Sequence, residues 1–391
     1  MKRGWKTSSL GGVCHVTGGG TPSKDHAEYF TGTVPWATVR DMRSEMIFET
    51  EYKITEEAVE HSATNIIPTG NVVIATRVGL GKVCMLGQDT AINQDLRGII
   101  PNDPQTLSVR FLFLWLKSIA HLILAEGTGA TVQGVRLPFI KSLQVPLPPL
   151  PEQRRIVGIL DEAFEAIAIA KANAEKNLQY ARALFESHLQ AIFTQRDKGW
   201  VQSLFSDVCQ ISSTLVDPRL PEYQELPHVG GANIETKTGG VIDLKTAREE
   251  GLKSGKFRFD ETMVLYSKIR PYLRKVARPD FKGLCSADIY PLSVKKDQMS
   301  RDFLFYLLLS PEFTEYAITG SARAGMPKVN RNHLFAFRCY LPPLVIQKRY
   351  AEQLDFLREE TQRLESIYQQ KLAALEELKK SLLHYAFSGE L

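Results

Sequence analysis

Between Ser267 and Lys275 the chain reads Ser-Lys-Ile-Arg-Pro-Tyr-Leu-Arg-Lys, four cations and a tyrosine in a run bracketed by β-type residues. Guanidinium and ammonium groups at this density suit phosphates, and Arg, Lys, Asn and Gln on loops donate to base edges. Second-half candidates for such contacts are Asn233, Lys268, Arg270, Tyr272, Arg274 and Lys275, then Arg323, Lys328, Asn330 and Arg331. First-half candidates are Thr21, Lys24, Arg40, Arg43, Arg77 and Lys82, then Asn93, Gln94, Gln133 and Arg136. Taken singly, any of these is as readily a solvated surface residue. As a set they favour loops that meet a nucleic acid. Two small-residue stretches, Thr128–Thr131 and Ser321–Gly325, are either close approaches to phosphate or plain turns.

Catalytic patterns are missing by comparison. There is no Asn-Pro-Pro-(Tyr/Phe) or Asp-Pro-Pro-Tyr stretch of the kind that holds an amino group for methylation. Gly18-Gly19-Gly20-Thr21-Pro22-Ser23-Lys24 and Gly79-Leu80-Gly81-Lys82 are phosphate-friendly but lack the Gly-Lys-(Ser/Thr) ending of a P-loop. Pro279-Asp280 has no Glu-x-Lys at nuclease spacing, and the 8 histidines do not cluster. The 5 cysteines contain no CxxC, which predicts a reduced protein without structural zinc. No bound cofactor or metal is expected.

The elements that carry the candidate donors recur. Leu147-Pro148-Pro149-Leu150-Pro151-Glu152-Gln153-Arg154-Arg155 is answered by Leu341-Pro342-Pro343-Leu344-Val345-Ile346-Gln347-Lys348-Arg349. Each opens a long run almost free of Gly and Pro, so each reads as a helix N-terminus. Apolar residues follow at three- and four-residue steps: Ile156, Leu160, Ile167, Ala174, Phe185 and Leu189 in the first, Tyr350, Leu354, Leu357, Leu364, Ile367, Leu378 and Tyr385 in the second. That is a heptad-like seam, and a helix with one apolar stripe needs a partner. Ile159, Phe164, Ile169, Phe356 and Leu383 fall off the seam and are candidates for a second, external contact.

The repetition extends beyond the helices. Val13-Cys14 is matched by Val208-Cys209, Pro35 by Pro227, Lys82-Val83 by Lys275-Val276, Asp95 by Asp288, and Phe111-Leu112-Phe113 by Phe303-Leu304-Phe305. We align Gly70–Val78 with Glu261–Ile269, which sets Arg77 against Lys268. Val72–Thr76, Lys82–Leu86 and Met263–Tyr266 read as strands, with Val78–Gly81 as a hairpin loop. Thr55–Ser62 and Val109–His121 read as helices. The fold class is therefore α+β: two globular domains, residues 1–150 and 197–344, at opposite ends of an antiparallel two-helix coiled coil built from residues 151–196 and 345–391, with a pseudo-two-fold internal repeat.

A chain of 391 residues, 43% hydrophobic and 24% charged, suits several folded domains, and its net charge of +4 is too low for a uniformly basic binder. Phe111–Leu116 is too short to span a bilayer, and the opening residues have no leader pattern. Two dissimilar domains, each closed by Leu-Pro-Pro-Leu…Gln-(Arg/Lys)-Arg and a long helix, resemble the specificity subunit of type I restriction–modification systems over essentially the whole chain. The ending Leu382–Leu391, the openings Gly4-Trp5 and Gly199-Trp200, and the Asn71–Val83 strand region are similar to that family as well. The resemblance implies a subunit without catalysis, each domain reading one half of a gapped asymmetric duplex DNA site. It implies two docked adenine methyltransferase subunits using S-adenosylmethionine, restriction subunits using ATP and Mg, and a bacterial or archaeal cytoplasm. Two other readings stay open: a two-headed adaptor for protein or carbohydrate, and an enzyme with an unrecognised site.

Overall fold

The computed structural model describes residues 5–127, 134–196, 198–212, 214–295, 297–321 and 327–391. Gln133, Arg323 and most of the two small-residue stretches lie outside the described residues. The chain forms two compact units, Met1–Ala174 with Gln370–Leu391, and Glu175–Gln369. Each is mixed α and β, and the helix Leu150–Thr194 links them. A second helix of the same 45 residues runs from Leu344 to Ser388.

In the first unit, a five-stranded sheet has the order Cys14–Gly18, Leu96–Pro101, Val72–Ala75, Val83–Leu86, Met46–Ile47. A four-stranded sheet has the order Tyr52–Ile54, Val34–Ala37, Thr90–Ile92, Asn65–Ile67. Its middle pair, Val34–Ala37 and Thr90–Ile92, is parallel. The second unit repeats the framework of both sheets, with four strands in the counterpart of the first and five in the counterpart of the second. Cys209–Ile211, Ile289–Val294, Val264–Ser267 and Val276–Ala277 form one. In the other, Pro227–Val229 runs parallel to Gly283–Cys285. A two-stranded ribbon closes each unit: Lys6–Ser9 with Gln144–Leu147, and Val201–Leu204 with Arg338–Leu341.

The Leu-Pro-Pro-Leu…Gln signature has a physical basis that is the same in both units. Gln153 and Gln347 are wholly buried. Gln153 Oε1 accepts from Ser108 N at 2.9 Å, and its Nε2 donates to Thr106 O at 2.8 Å and Pro148 O at 3.0 Å. Gln347 Oε1 accepts from Ser300 N at 2.9 Å, and its Nε2 donates to Gln298 O and Pro342 O, both at 2.9 Å. One amide thus satisfies three backbone groups where the domain hands over to the long helix. Ser108 and Ser300 in turn cap the helices Val109–Ser118 and Arg301–Leu309, their hydroxyls accepting from Phe111 N and Phe303 N. The expected helix Val109–His121 stops at Ser118, where Ile119 leaves helical geometry, and restarts as Ala120–Ala125. Thr55 is the cap of Glu56–Glu60 rather than its first turn.

Within the first unit, residue 155 meets 391 and residue 171 meets 376, so the helical segments are antiparallel there. Ile156, Leu160, Phe164 and Ile167 pack with Leu383, Ala386, Phe387 and the buried Phe111–Leu116 run. In the second unit Phe185, Leu189 and Ile192 share a core with Ala351, Leu354 and Phe303–Leu309. Two expectations are corrected. Phe164 and Leu383 are core, not external contacts. Leu364, Ile367, Leu378 and Tyr385, expected on the seam, are 36–46% exposed. The distal helix buries Ala351, Leu354 and Thr361, then Leu383, Ala386 and Phe387.

Candidate nucleic-acid interface

In each unit the candidate donors sit where a buried central strand leaves the sheet. Val72–Ala75 is buried at every position, as is Val264–Ser267. Beyond them the backbone repeats the same bonds. Ala75 N donates to Lys82 O and Ser267 N to Lys275 O, each at 3.0 Å. Thr76 N donates to Asp95 O at 2.8 Å, and Lys268 N to Asp288 O at 3.0 Å. Thr76 O accepts from Val135 N, and Lys268 O from Val329 N, each at 2.8 Å. The repeat therefore aligns Thr76 with Lys268, one residue away from the alignment drawn on sequence. A one-residue slip exchanges the faces of a strand, so Arg77 is the counterpart of Ile269. The two basic side chains nevertheless approach equivalent carboxylates, Arg77 Nε to Asp95 Oδ1 and Lys268 Nζ to Asp288 Oδ1, both 3.7 Å.

The first unit gathers its donors around this corner. Val78–Gly81 is a hairpin loop, as expected, and Gly79 and Gly81 take φ of 73° and 81°. Arg77, Lys82, Arg40, Arg43, Lys24, Gln94 and Arg136 are exposed. The Thr21 hydroxyl donates to the Gln94 carbonyl. Arg40 lies 3.4 Å from Glu51, and Arg43 Nε donates to Arg40 O at 2.9 Å. Arg136 precedes the short helix Leu137–Ser142. Lys82 and Arg43 face a shallow cleft that also receives Lys117 and Lys379 around Glu45. Burial works to raise the Glu45 carboxyl, but the hydrogen bond from Lys117 and the charges of Lys379 and Arg110 hold it below its ordinary value. Sequence reasoning did not select Lys117, Lys379 or Arg97. Arg97 Nη1 donates to Gln94 O at 2.9 Å and Leu96 O at 2.7 Å, which fixes the turn under Gln94. Nor did it select the aromatic residues Phe30, Trp36 and Tyr52.

In the second unit the segment after Val264–Ser267 meets the segment 327–331. Arg270 N donates to Pro327 O at 2.9 Å, and Lys268 and Lys328 both stand 3.7 Å from Asp288 Oδ1. Burial, with Lys328 close by, pushes the Lys268 ammonium below its ordinary value against the pull of Asp288. Arg270, Tyr272, Lys328 and Arg331 are exposed. Four expected donors are otherwise engaged. Arg274 is buried, its guanidinium donating to Glu186 Oε2 at 2.7 Å and to Leu309 O, so it ties the loop to the helix and is no outward contact. The Lys275 ammonium donates to Gly231 O. The Asn233 carbonyl accepts from Gly230 N at 2.8 Å and its amide donates to Ile242 O and Asp243 O, both at 3.1 Å. Asn330 caps Arg331–Phe335 through His333 N at 2.8 Å. Where the first unit has two left-handed glycines, this one has Arg270 and Arg274 at φ of 49° and 50°. Each costs about 1–2 kcal/mol of backbone strain, offset at Arg274 by its buried bonds.

All five cysteines are free and buried. Burial pushes the thiols of Cys14, Cys285 and Cys339 up to about 12 and that of Cys84 to about 11. Among the described residues no His, Cys, Asp and Glu cluster could hold a metal ion, and no helix is long and apolar enough to cross a membrane.

A repeated α+β unit with a donor-bearing corner and a buried amide at the head of each long helix defines a class of two-domain recognition proteins. The chain belongs to the type I restriction modification DNA specificity domain family, whose model matches residues 2–179 and again 197–376. Its role is thereby DNA specificity rather than catalysis. The specificity subunit of the EcoDI type I restriction enzyme of Escherichia coli is 29% identical over 322 residues, covering 74% of this chain and 71% of that one. That of EcoR124I/EcoR124II, also from Escherichia coli, is 36% identical over 165 residues, 40% of either chain. The MjaIX specificity subunit of Methanocaldococcus jannaschii is 23% identical across 100% of this chain and 94% of its own. In fold, the chain is similar to the HsdS subunit from Thermoanaerobacter tengcongensis, with TM-score 0.64 and 20% identity over 100% and 98% of the two chains. A chain from a structure on complex assembly and conformational transition of the type I R-M system gives TM-score 0.79 and 20% identity, covering 100% of this chain and 99% of that one.

Proposed function

We propose that the two units read the two halves of a gapped, asymmetric duplex DNA sequence. Residues 1–150 and 197–344 are the reading heads, and the helices of 151–196 and 345–391 set their spacing. The observation that carries this reading is the repeated corner, with segments 76–82 and 134–136 in one unit and 268–275 and 327–331 in the other held by the same backbone bonds. The outward donors there are Lys24, Arg40, Arg77, Gln94 and Arg136, and Arg270, Tyr272, Lys328 and Arg331. Their surroundings differ between the units, so the half-sites differ.

The helices keep large apolar residues exposed, among them Ile169 at 57% and Phe356 at 68%. A soluble helix gains by covering such groups, and they supply contacts for two adenine methyltransferase subunits. Those subunits carry S-adenosylmethionine. Restriction subunits with ATP and Mg complete the assembly, in a bacterial or archaeal cytoplasm. With a net charge of +4, this chain contributes specificity more than charge. Affinity for duplex then falls steeply with salt once basic partners are present.

The test is long-read methylation sequencing of DNA from cells carrying this chain with a neighbouring methyltransferase subunit. A two-part motif methylated at adenine in both halves, and absent without this chain, is the expected result. No new motif with the partner expressed and bound refutes the reading.

A further inference from the structure

Beside the donor corner of the first unit lies a cavity of about 620 Å³. That is within the range of small-ligand sites, roughly 300–1,000 Å³. Its walls are aromatic. Phe30 and Tyr52 stand edge-on to Trp36, with ring centroids 6.0 and 6.3 Å away. Trp36 is pinned through Nε1, which donates to Gly20 O and Thr64 Oγ1, both at 3.2 Å. The glycine run noted for its resemblance to a phosphate loop serves this wall. A Cβ on Gly19 would lie 2.1 Å from Asn93 O, and one on Gly20 would lie 2.5 Å from the Ala63 carbonyl carbon. The run is glycine because backbone meets backbone there.

The inner edge is polar and fixed. Asn93 is 5% exposed and exchanges two bonds with Asp95: its carbonyl accepts from Asp95 N at 3.1 Å, and its amide donates to Asp95 Oδ2 at 3.2 Å. Both residues line the cavity, while Lys24 and Arg40 stand at its mouth. Flat aromatic walls, a carboxylate and amide edge, and cations at the entrance match a nucleobase with its flanking phosphates. A carboxylate selects an exocyclic amino group. The second unit differs at the equivalent strand. After Pro227 it places His228, 6% exposed and bound to Glu250 at 2.9 Å, where the first unit has Trp36 after Pro35.

Resting on the reading above, we propose that the first unit takes one amino-bearing base, adenine, cytosine or guanine rather than thymine, out of the duplex stack and into this cavity. Its half-site is read partly outside the helix, whereas the second half-site is read in the stack. Extrusion costs pairing and stacking energy, and removing the opposite base spares part of that cost.

The experiment uses the full chain bound to its methyltransferase partner. Duplexes carry an abasic residue opposite each base of the first half-site in turn, leaving the read base in place. One position, occupied by adenine, cytosine or guanine and not by thymine, is expected to gain affinity by about tenfold. Tyr52→Ala, which removes a 41% exposed wall, abolishes that gain, and Tyr52→Phe restores it. Binding of the unmodified first half-site by Tyr52→Ala reports that the first unit is folded, and the second half-site, scanned with the same proteins, shows no Tyr52-dependent gain. If no position gains, or every gain survives Tyr52→Ala, the proposal is overturned. The same wild-type complex binding no two-part sequence at all refutes the underlying reading instead.

Discussion

Replacing Gln153 by alanine should unlock the first unit from its helix. The side chain is wholly buried and serves Ser108 N, Thr106 O and Pro148 O. Truncation leaves an amide N–H without its acceptor at a cost of about 1–3 kcal/mol. The two carbonyls lose less each, because an under-satisfied carbonyl is tolerated better than an orphaned N–H. A small cavity adds to the loss, for roughly 3–5 kcal/mol in all. For a unit of about two hundred residues this lowers Tm by roughly 10 °C. Urea and thermal unfolding followed by circular dichroism measure it. Gln153→Glu supplies a sign test. Its carboxylate still accepts from Ser108 N but faces two carbonyl oxygens, so folding raises its pKa above the ordinary value near 4.3. The variant is therefore at its best below that pH and loses stability as pH rises through the folded-state value. A Gln153→Ala loss under about 1 kcal/mol, or a Gln153→Glu pH slope equal to wild type, would refute the clamp.

Two arginines one turn apart should behave oppositely. Arg270→Gly relieves a left-handed φ and raises stability by about 1 kcal/mol, while weakening DNA binding and lowering its salt slope by about one. Arg274→Ala strands Glu186 and Leu309 O and costs about 1–3 kcal/mol, with binding affected only through unfolding. Denaturation and salt-titrated binding on the same proteins decide it, and loss of binding by folded Arg274→Ala would count against its inward role. The five buried thiols should resist a disulfide reagent at pH 8 until urea unfolds the chain, and a fast-reacting thiol in the native protein would contradict their placement.

The duplicated framework was legible because repetition leaves matched residues at nearly constant offset. Leu-Pro-Pro-Leu…Gln marks both helix starts, and the reason for its glutamine is the three-bond clamp. The strand register was not legible to one residue. Lys82 and Lys275 match, but the preceding strands are buried at every position, and a run without polar alternation does not report its own phase. The inward turn of Arg274 depends on Glu186, 88 residues away in sequence, which local composition cannot signal. Leu364, Ile367, Leu378 and Tyr385 fit a heptad as well as the residues actually buried. Trp36 and Tyr52 were not legible as a site because the cavity they line is formed by neighbours distant in sequence, from Lys24 to Asp95.

The first unit is assembled from residues 1–174 and 370–391, with Leu383, Ala386 and Phe387 completing the core around Phe111. During synthesis its core therefore stays open until some two hundred further residues have been added. At about 5–20 residues per second that is a wait of roughly 10–40 s. A chain broken off anywhere in the second unit leaves the first with an apolar face uncovered, a mark that proteolysis can act upon. A chain that stops short of Gln370–Leu391 should therefore be cut faster than the full chain in limited proteolysis, with the first cuts in residues 1–174.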